Sequence, residues 1–279
     1  MTGEGRVIGF WRGAVRVDAL DALDRGFAYG DGLFETMRAH AGTLPWWPRH
    51  RSRLLAGARR LGIPLPPEAA LDAALAAALA TAPDGVIKLI LTRGVGGRGY
   101  APTPDIEPSV FVIASPAPPV VDDALDVDVL ALRLGAQPAL AGMKHLNRLE
   151  QVLGAREAGE RGLHDGLMAD AEGYLTCSTR ANLFARLDGR WITPPLDRAG
   201  VAGVARGLLL EAWSPRGGLH VQPLPLEVLP RVEALLLSNA VRGILPVGRC
   251  GARALDPRPM GFVEARAALA ASHPAFRES

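Results

Sequence analysis

A chain of 279 residues, 48% hydrophobic and 22% charged, carries enough apolar material to bury a full core in one large or two modest domains. Its 31 basic and 29 acidic side chains leave a formal net charge of +2, so no global charge argues for nucleic acid or an anionic membrane as a partner. Two cysteines, Cys177 and Cys250, do not make a disulfide framework, MTGEGRVIGFWRG at the start lacks a basic region followed by an apolar core, and no run approaches the ~18 apolar residues of a membrane span, so a cytoplasmic protein is expected.

Residues 6–11 read as a short strand, and 33–38 as a second extended segment that returns through an Ala41-Gly42 turn toward Leu44-Pro45-Trp46-Trp47, an antiparallel opening. Pro48 then sits where a first helical turn tolerates it, and Leu54, Leu55, Ala58 and Leu61 recur at helical spacing until Gly62 and Pro64 end the segment. Residues 66–82 form an alanine-rich helix, and Asp84-Gly85 turns into a strand over 86–92. Another strand covers 109–114. The run SPAPPVVDD, 115–123, is the best linker in the chain, because stacked prolines favour an extended connection. Beyond it, 125–132 alternates as a strand, 146–160 reads as a helix with Leu146, Leu149, Val152 and Leu153 seating one face, and short strands run from 166 to 184. A helix over 201–213, a buried strand over 234–237 and a final helix over 259–271 complete the chain. The elements mix without the strict alternation of a doubly wound fold, which predicts an α+β protein: a small domain over 1–115, a linker over 116–123 and a larger domain over 124–279.

The stretch LTRGVGGRGYAPTPDIEPS, 91–109, contains Gly94-x-Gly96-x-x-Gly99 after an apolar strand, the spacing of a dinucleotide-binding loop. That fingerprint needs a helix opening at the last glycine to hold a pyrophosphate on its N–H groups. Pro102, Pro104 and Pro108 forbid one, so the leading reading is a glycine-rich connection between strands, while Arg93, Arg98 and Tyr100 leave an anion site there open. His50, His145 and His164 lack the spacing of a metal set, no HExxH or CxxC occurs, and no GxSxG elbow is present, so neither a metal site nor a serine triad is expected.

The richest segment is GMKHLNRLEQV, 142–152, where Lys144 precedes the 146–160 helix; a lone lysine at a helix start is ordinarily a solvated charge. Together with DRGFAYGDGLFET (24–36), GGRGY (96–100), ANLF (181–184), TPPLDRAGVAGVAR (193–206) and SNAVRGILPV (238–247), however, KHLNRLEQV resembles the class IV pyridoxal-phosphate-dependent aminotransferase family, and within it the aminodeoxychorismate lyases. The resemblance spans nearly the whole chain in the family order.

It implies a two-domain α+β fold of type IV, like that of D-amino-acid aminotransferase, a homodimer, and pyridoxal 5'-phosphate as cofactor. Lys144 matches the Schiff-base lysine and, once released, a general base. Arg53 matches the phosphate-binding arginine, with Arg49 and Arg51 beside it offering the same fork. Gly203, Val204 and Ala205 match a phosphate cradle at a helix N-terminus, and the turn at Asn239 and Ala240 a second phosphate contact. Arg98 and Tyr100 match the substrate-recognition loop, and Tyr29 the turn bordering the active site. The activity implied is conversion of 4-amino-4-deoxychorismate to 4-aminobenzoate and pyruvate, the alternatives being a D-amino-acid or branched-chain aminotransferase and a non-catalytic scaffold. One position departs from the pattern: Cys177 stands five residues before Asn182, where the family has a glutamate paired with the pyridine nitrogen, while Glu172 reads as a turn residue before Gly173. Without that carboxylate the ring is a poorer electron sink, which disfavours transamination.

Overall fold

The structure, a computed structural model, describes residues 5–120, 123–213 and 218–277. The first four residues and Val121 and Asp122 of the predicted linker lie outside the described residues. Two compact units divide the chain: Met1–Pro118 with Met143–Asn147, and Pro119–Gly142 with Arg148–Ser279.

The first unit comprises β1 (Arg6–Arg12), β2 (Val15–Val17), α1 (Arg25–Tyr29), β3 (Gly32–Arg38), α2 (Trp47–Leu61), α3 (Glu68–Thr81), β4 (Gly85–Thr92) and β5 (Ser109–Pro116). Its five strands form one antiparallel sheet in the order β2-β1-β5-β4-β3. Sequence reasoning anticipated the long strands and both long helices but not β2 or α1, which are too short to show a period. The antiparallel return after 33–38 does not form. Beyond a single His40–Thr43 bridge the chain leaves the sheet at Ala41 and Gly42, both at positive φ, and Trp47 already begins α2 with Pro48 in its first turn. The whole of β3 is instead paired by β4, from Gly32 opposite Thr92 to Arg38 opposite Val86.

The second unit comprises β6 (Leu125–Leu134), α4 (Leu149–Glu160), β7 (Asp165–Asp170), β8 (Leu175–Ser178), β9 (Asn182–Leu187), β10 (Arg190–Thr193), α5 (Val204–Trp213), β11 (Leu219–Val221), β12 (Ala234–Asn239), β13 (Gly243–Cys250), β14 (Arg253–Ala254) and α6 (Phe262–Ala270). The strand order β9-β12-β13-β6-β7-β8 closes on itself where Cys177 of β8 meets Asn182 of β9, giving a barrel-like ring. Leu167, Leu183, Leu235, Leu237 and Val247 fill its core.

Two expectations about the segment after Lys144 are corrected. The helix starts at Leu149 rather than Leu146, because residues 143–147 spend their backbone groups on the free edge of β3. Its buried face is Gly154 and Ala158, whereas Leu149 (75%), Val152 and Leu153 are exposed. The reason is steric: a Cβ on Gly154 would lie 3.0 Å from Leu130 and 3.2 Å from Met168, so the helix seats its smallest residue against the sheet. Helices α5 and α6 also start about one turn later than expected. Gly200 and Gly261, both at positive φ, delay them. No helix among the described residues is long and apolar enough to cross a membrane.

Candidate functional site

Lys144 belongs to a short extended segment laid along β3 of the first unit. The Phe34 N–H donates to the Lys144 carbonyl at 2.9 Å, the Leu146 N–H to the Gly32 carbonyl at 3.0 Å, and His145 bridges Leu33. Asn147 Nδ2 donates to the Gly30 carbonyl at 3.1 Å, closing the segment's far end. The backbone is thus held on both sides of a half-buried side chain whose Nζ lies 4.1 Å from the centre of the Phe34 ring.

Beneath this strand lies a buried polar triad. In GLFETMR the inward set is Leu33, Glu35 and Met37, so alternation alone carries a carboxylate into the core. Glu35 accepts from Arg53 through Nε at 2.9 Å and through Nη2, and shares a 2.6 Å hydrogen bond with His50 Nδ1. Burial alone would raise the Glu35 carboxyl; the Arg53 charge and the hydrogen bonds from His50 and Arg53 outweigh it and hold the group at about 2. Burial pushes His50 below its ordinary value, toward the neutral imidazole. Arg53 is thus oriented by Glu35, whereas Arg51 pairs at the surface with Glu68 at 2.8 Å. Sequence reasoning singles out Arg53 but not Glu35, although a carboxylate between two inward apolar residues is a readable signal.

The glycine loop is tied down by a residue also missed, Arg25. Its guanidinium is buried and donates to the Gly99 carbonyl at 2.9 Å, to the Tyr100 carbonyl, and through Nε to Asp31 at 3.0 Å. Asp31 also receives Arg93, which in turn donates to the Leu61 and Gly62 carbonyls, so Arg93 is structural. Burial would raise the Asp31 carboxyl, but the Arg93 and Arg25 guanidiniums keep it below the ordinary carboxylate range. Tyr29 and Tyr100 meet edge to face at 5.5 Å, and the Gly99 N–H donates to the Tyr29 hydroxyl at 3.3 Å. Tyr100 is 86% exposed and Arg98 is exposed. No helix follows Gly99; Gly94, at φ 104°, is required because a Cβ there would fall 1.8 Å from the Glu107 carbonyl oxygen. Arg25→Gln is expected to speed amide exchange across residues 97–100 by roughly tenfold or more, the loss of charged hydrogen bonds worth ~1.5–3 kcal/mol. Unchanged exchange in that loop would remove Arg25 from this role.

In the second unit, Gly203, Val204 and Ala205 open α5, the Gly207 N–H donating to the Gly203 carbonyl at 2.9 Å. Asn182 Oδ1 lies 1.9 Å from where a Cβ on Gly203 would fall, so only glycine leaves room at this helix start. Asn239 Oδ1 accepts from the N–H groups of Val241 and Arg242 at 3.0 and 2.8 Å, an Asx turn that shapes the turn through Ala240. Cys177 is buried among Leu130, Leu134, Ala158 and Met168, and that desolvation pushes its thiol up to about 12, so it is a neutral group. Glu172 lies in the turn before Gly173 and pairs with Arg198.

The family model for amino-transferase class IV matches residues 32–250. An aminodeoxychorismate lyase from Vibrio harveyi is 35% identical over 245 residues, 85% of this chain and 90% of that protein. A branched-chain-amino-acid aminotransferase from Salmonella typhimurium is 26% identical over 257 residues, 82% of each chain. Among solved structures, the 4-amino-4-deoxychorismate lyase from Pseudomonas aeruginosa superposes with a TM-score of 0.85 at 39% identity, covering 94% of this chain and 98% of that one. The match over residues 32–250 and the likeness to these proteins, on a mixed α+β fold of type IV, show that this chain belongs to the class IV aminotransferase family.

Proposed function

We propose that this chain is a pyridoxal-phosphate-dependent carbon–oxygen lyase converting 4-amino-4-deoxychorismate to 4-aminobenzoate and pyruvate, a step in folate synthesis. The family is pyridoxal-phosphate-dependent, and the residues present suit the cofactor: a lysine amine on a fixed backbone, an arginine fork braced by a carboxylate, and a helix start where a Cβ would fill the space. When bound, pyridoxal 5'-phosphate supplies an aldehyde for the lysine and a ring that withdraws electrons. In the first unit Lys144 holds the cofactor and Arg53 receives its phosphate. In the second unit Gly203, Val204 and Ala205, with Asn239 and Ala240, are the positions the family resemblance assigns to a phosphate, and Cys177 takes the position of the family's ring-nitrogen partner.

Lys144 is the base that removes the proton at the amine-bearing carbon of the substrate and later returns protons to the departing groups; one amine held close by serves each transfer. Arg98 grips a substrate carboxylate, Tyr100 adds a hydroxyl donor, and Tyr29 supports Tyr100 edge to face.

The observation that favours the lyase over an aminotransferase of the same fold is Cys177. A neutral thiol in an apolar cluster lends the ring nitrogen no negative charge. Loss of the proton and of the enolpyruvyl group leaves a benzenoid ring, a driving force that transamination lacks. Cys177→Glu is accordingly expected to raise transamination of amino acids by about tenfold, the effect of roughly one unit of added ring basicity; an unchanged transamination rate in a folded variant would count against this account. The full activity is tested by incubating the protein with 4-amino-4-deoxychorismate and pyridoxal phosphate, with no amino acceptor, and quantifying products. Equal release of 4-aminobenzoate and pyruvate is expected; bound cofactor without release would transfer the reading to an aminotransferase. The reading includes a homodimer acting in the cytoplasm on this small molecule, for which equilibrium sedimentation is the direct measurement.

A further inference from the structure

Lys88 and Lys144 are the only two lysines among the 31 basic side chains of the sequence, and both address one aromatic ring. Nζ of Lys144 lies 4.1 Å from the centre of the Phe34 ring, and Nζ of Lys88 lies 5.1 Å from it. Strand pairing explains the meeting. On one side of β3 the antiparallel bridge of Leu33 with His145 sets Lys144 opposite Phe34; on the other side β4 sets Ile90 opposite Phe34 and Lys88 opposite Thr36. Opposed residues project from one face of a sheet, so Phe34, Thr36, Lys88 and Lys144 share a face. All four are half-buried, whereas Leu33, Glu35 and Met37 are buried on the core side.

The surroundings of this pair are cationic or neutral. Among the described residues no carboxylate pairs with Lys88, whose partner is the ring, and no strand position on this face carries an acidic side chain. β5 continues the face with Ile113 opposite Lys88 and Phe111 opposite Ile90. Along β3 the next residue on the face is Arg38, a further cation. The acidic groups at the two ends of the strands are engaged elsewhere: Asp84 pairs with His40 at 3.5 Å, and Asp24 accepts from Thr92 Oγ1 and the Gly26 N–H. On the core side of β3, Glu35 accepts from Arg53 and shares its hydrogen bond with His50, which burial holds toward the neutral imidazole. The face of a ring attracts a cation, so Phe34 by itself favours a charged Lys144. A second ammonium on the same ring opposes that preference, because like charges in a partly desolvated place favour loss of a proton.

We propose that Lys88 is a positioning residue that acts through Lys144: its like charge, set across the Phe34 ring, favours the neutral amine of Lys144, the form that attacks an aldehyde and accepts a proton. The proposal rests on the reading of Lys144 given above for its chemical meaning, while the coupling between the two amines is a property of the cofactor-free chain. The two nitrogens can be no further apart than their distances to the ring taken together. At such a separation, partly screened by solvent, two unit charges move a titration by about one pH unit.

The test is trace acetylation of the cofactor-free protein with acetic anhydride across pH, the modified fraction of Lys144 being read by mass spectrometry, since only the neutral amine reacts. With two lysines in the chain, each modified peptide is assigned at once. In Lys88→Met, and equally in Lys88→Gln, the Lys144 midpoint is expected to rise by about one pH unit, with about tenfold less acetylation near neutral pH. Lys88→Arg keeps the charge and is expected to keep the parent's midpoint. Melting temperatures establish that the variants fold. A midpoint in the two neutral variants equal to that of the parent overturns the proposal. So does a Lys88→Arg midpoint that rises as far as theirs, because packing rather than charge would then be the cause. Borohydride trapping of pyridoxal phosphate on the parent separates this coupling from the cofactor reading. A raised midpoint in the neutral variants, with no adduct on Lys144 of the parent, leaves the coupling standing and removes the cofactor reading; an adduct with an unmoved midpoint does the reverse.

Discussion

Lys144→Ala is expected to lower release of 4-aminobenzoate by at least about a thousandfold, the scale on which removal of a group that acts as both nucleophile and general base is felt. It should also abolish the borohydride-trapped cofactor adduct that mass spectrometry would find on this residue in the parent. The structure makes the experiment clean. Residues 143–147 are held to the edge of β3 by two backbone hydrogen bonds, Phe34 N–H to the Lys144 carbonyl and Leu146 N–H to the Gly32 carbonyl, neither of which needs the lysine side chain. The melting temperature of the cofactor-free variant reports whether the fold is kept, the approach of Nζ to the Phe34 ring, worth about 0.5–1 kcal/mol, being among the contacts removed. A variant that keeps its rate within tenfold, or that still traps cofactor elsewhere, would take the central role away from Lys144.

Glu35→Gln is expected to cost about 3–5 kcal/mol of folding stability, because it removes one partner of a buried ion pair and leaves Arg53 and His50 facing a neutral amide. The same residue shapes the acid limb of the stability profile. Its carboxyl titrates at about 2 in the folded chain against 4.5 for the unperturbed group. A group whose folded pKa is depressed stabilises fully above the unfolded value and loses that contribution as pH falls toward the folded one. The parent should thus lose roughly 3 kcal/mol from this residue between pH 4.5 and about 2, and Glu35→Gln should lack that component. Thermal or denaturant unfolding across that interval measures both effects. Parallel acid limbs in the two proteins would show that the triad titrates without being coupled to folding. Cofactor affinity is the second readout: Glu35→Gln removes the carboxylate that receives Arg53 Nε and Nη2, and pyridoxal phosphate binding should weaken together with stability.

What the sequence by itself determined was the family, together with most of the long elements; the cofactor and the central role of Lys144 are what that resemblance implies. These are legible because they are local: alternation carried β6, the Asp84-Gly85 turn and apolar runs carried β4 and β5, proline and glycine punctuated α2, and the motifs around Lys144, Gly203 and Ser238 are contiguous words whose order does not depend on the fold. The same locality explains the errors. Pro48 and Gly62 bounded α2 correctly, but nothing local says that β3 pairs with β4 and that Leu44-Pro45-Trp46-Trp47 leads only into a helix. The phase of α4 was misread because Leu149, Val152 and Leu153 outweigh Gly154 on any hydrophobic count, while close packing against Leu130 and Met168 rewards the residue with no side chain. Only the tertiary structure decided which polar groups are spent on the fold and which are held ready. Arg25, Glu35 and Arg206 look like surface charges in the sequence, and all three are buried. Each one's role follows from partners tens of residues away, Tyr100 for Arg25, Arg53 for Glu35 and Thr193 for Arg206. A buried charge must find such partners or lose its charge, and that requirement is met by chain segments that only folding brings together.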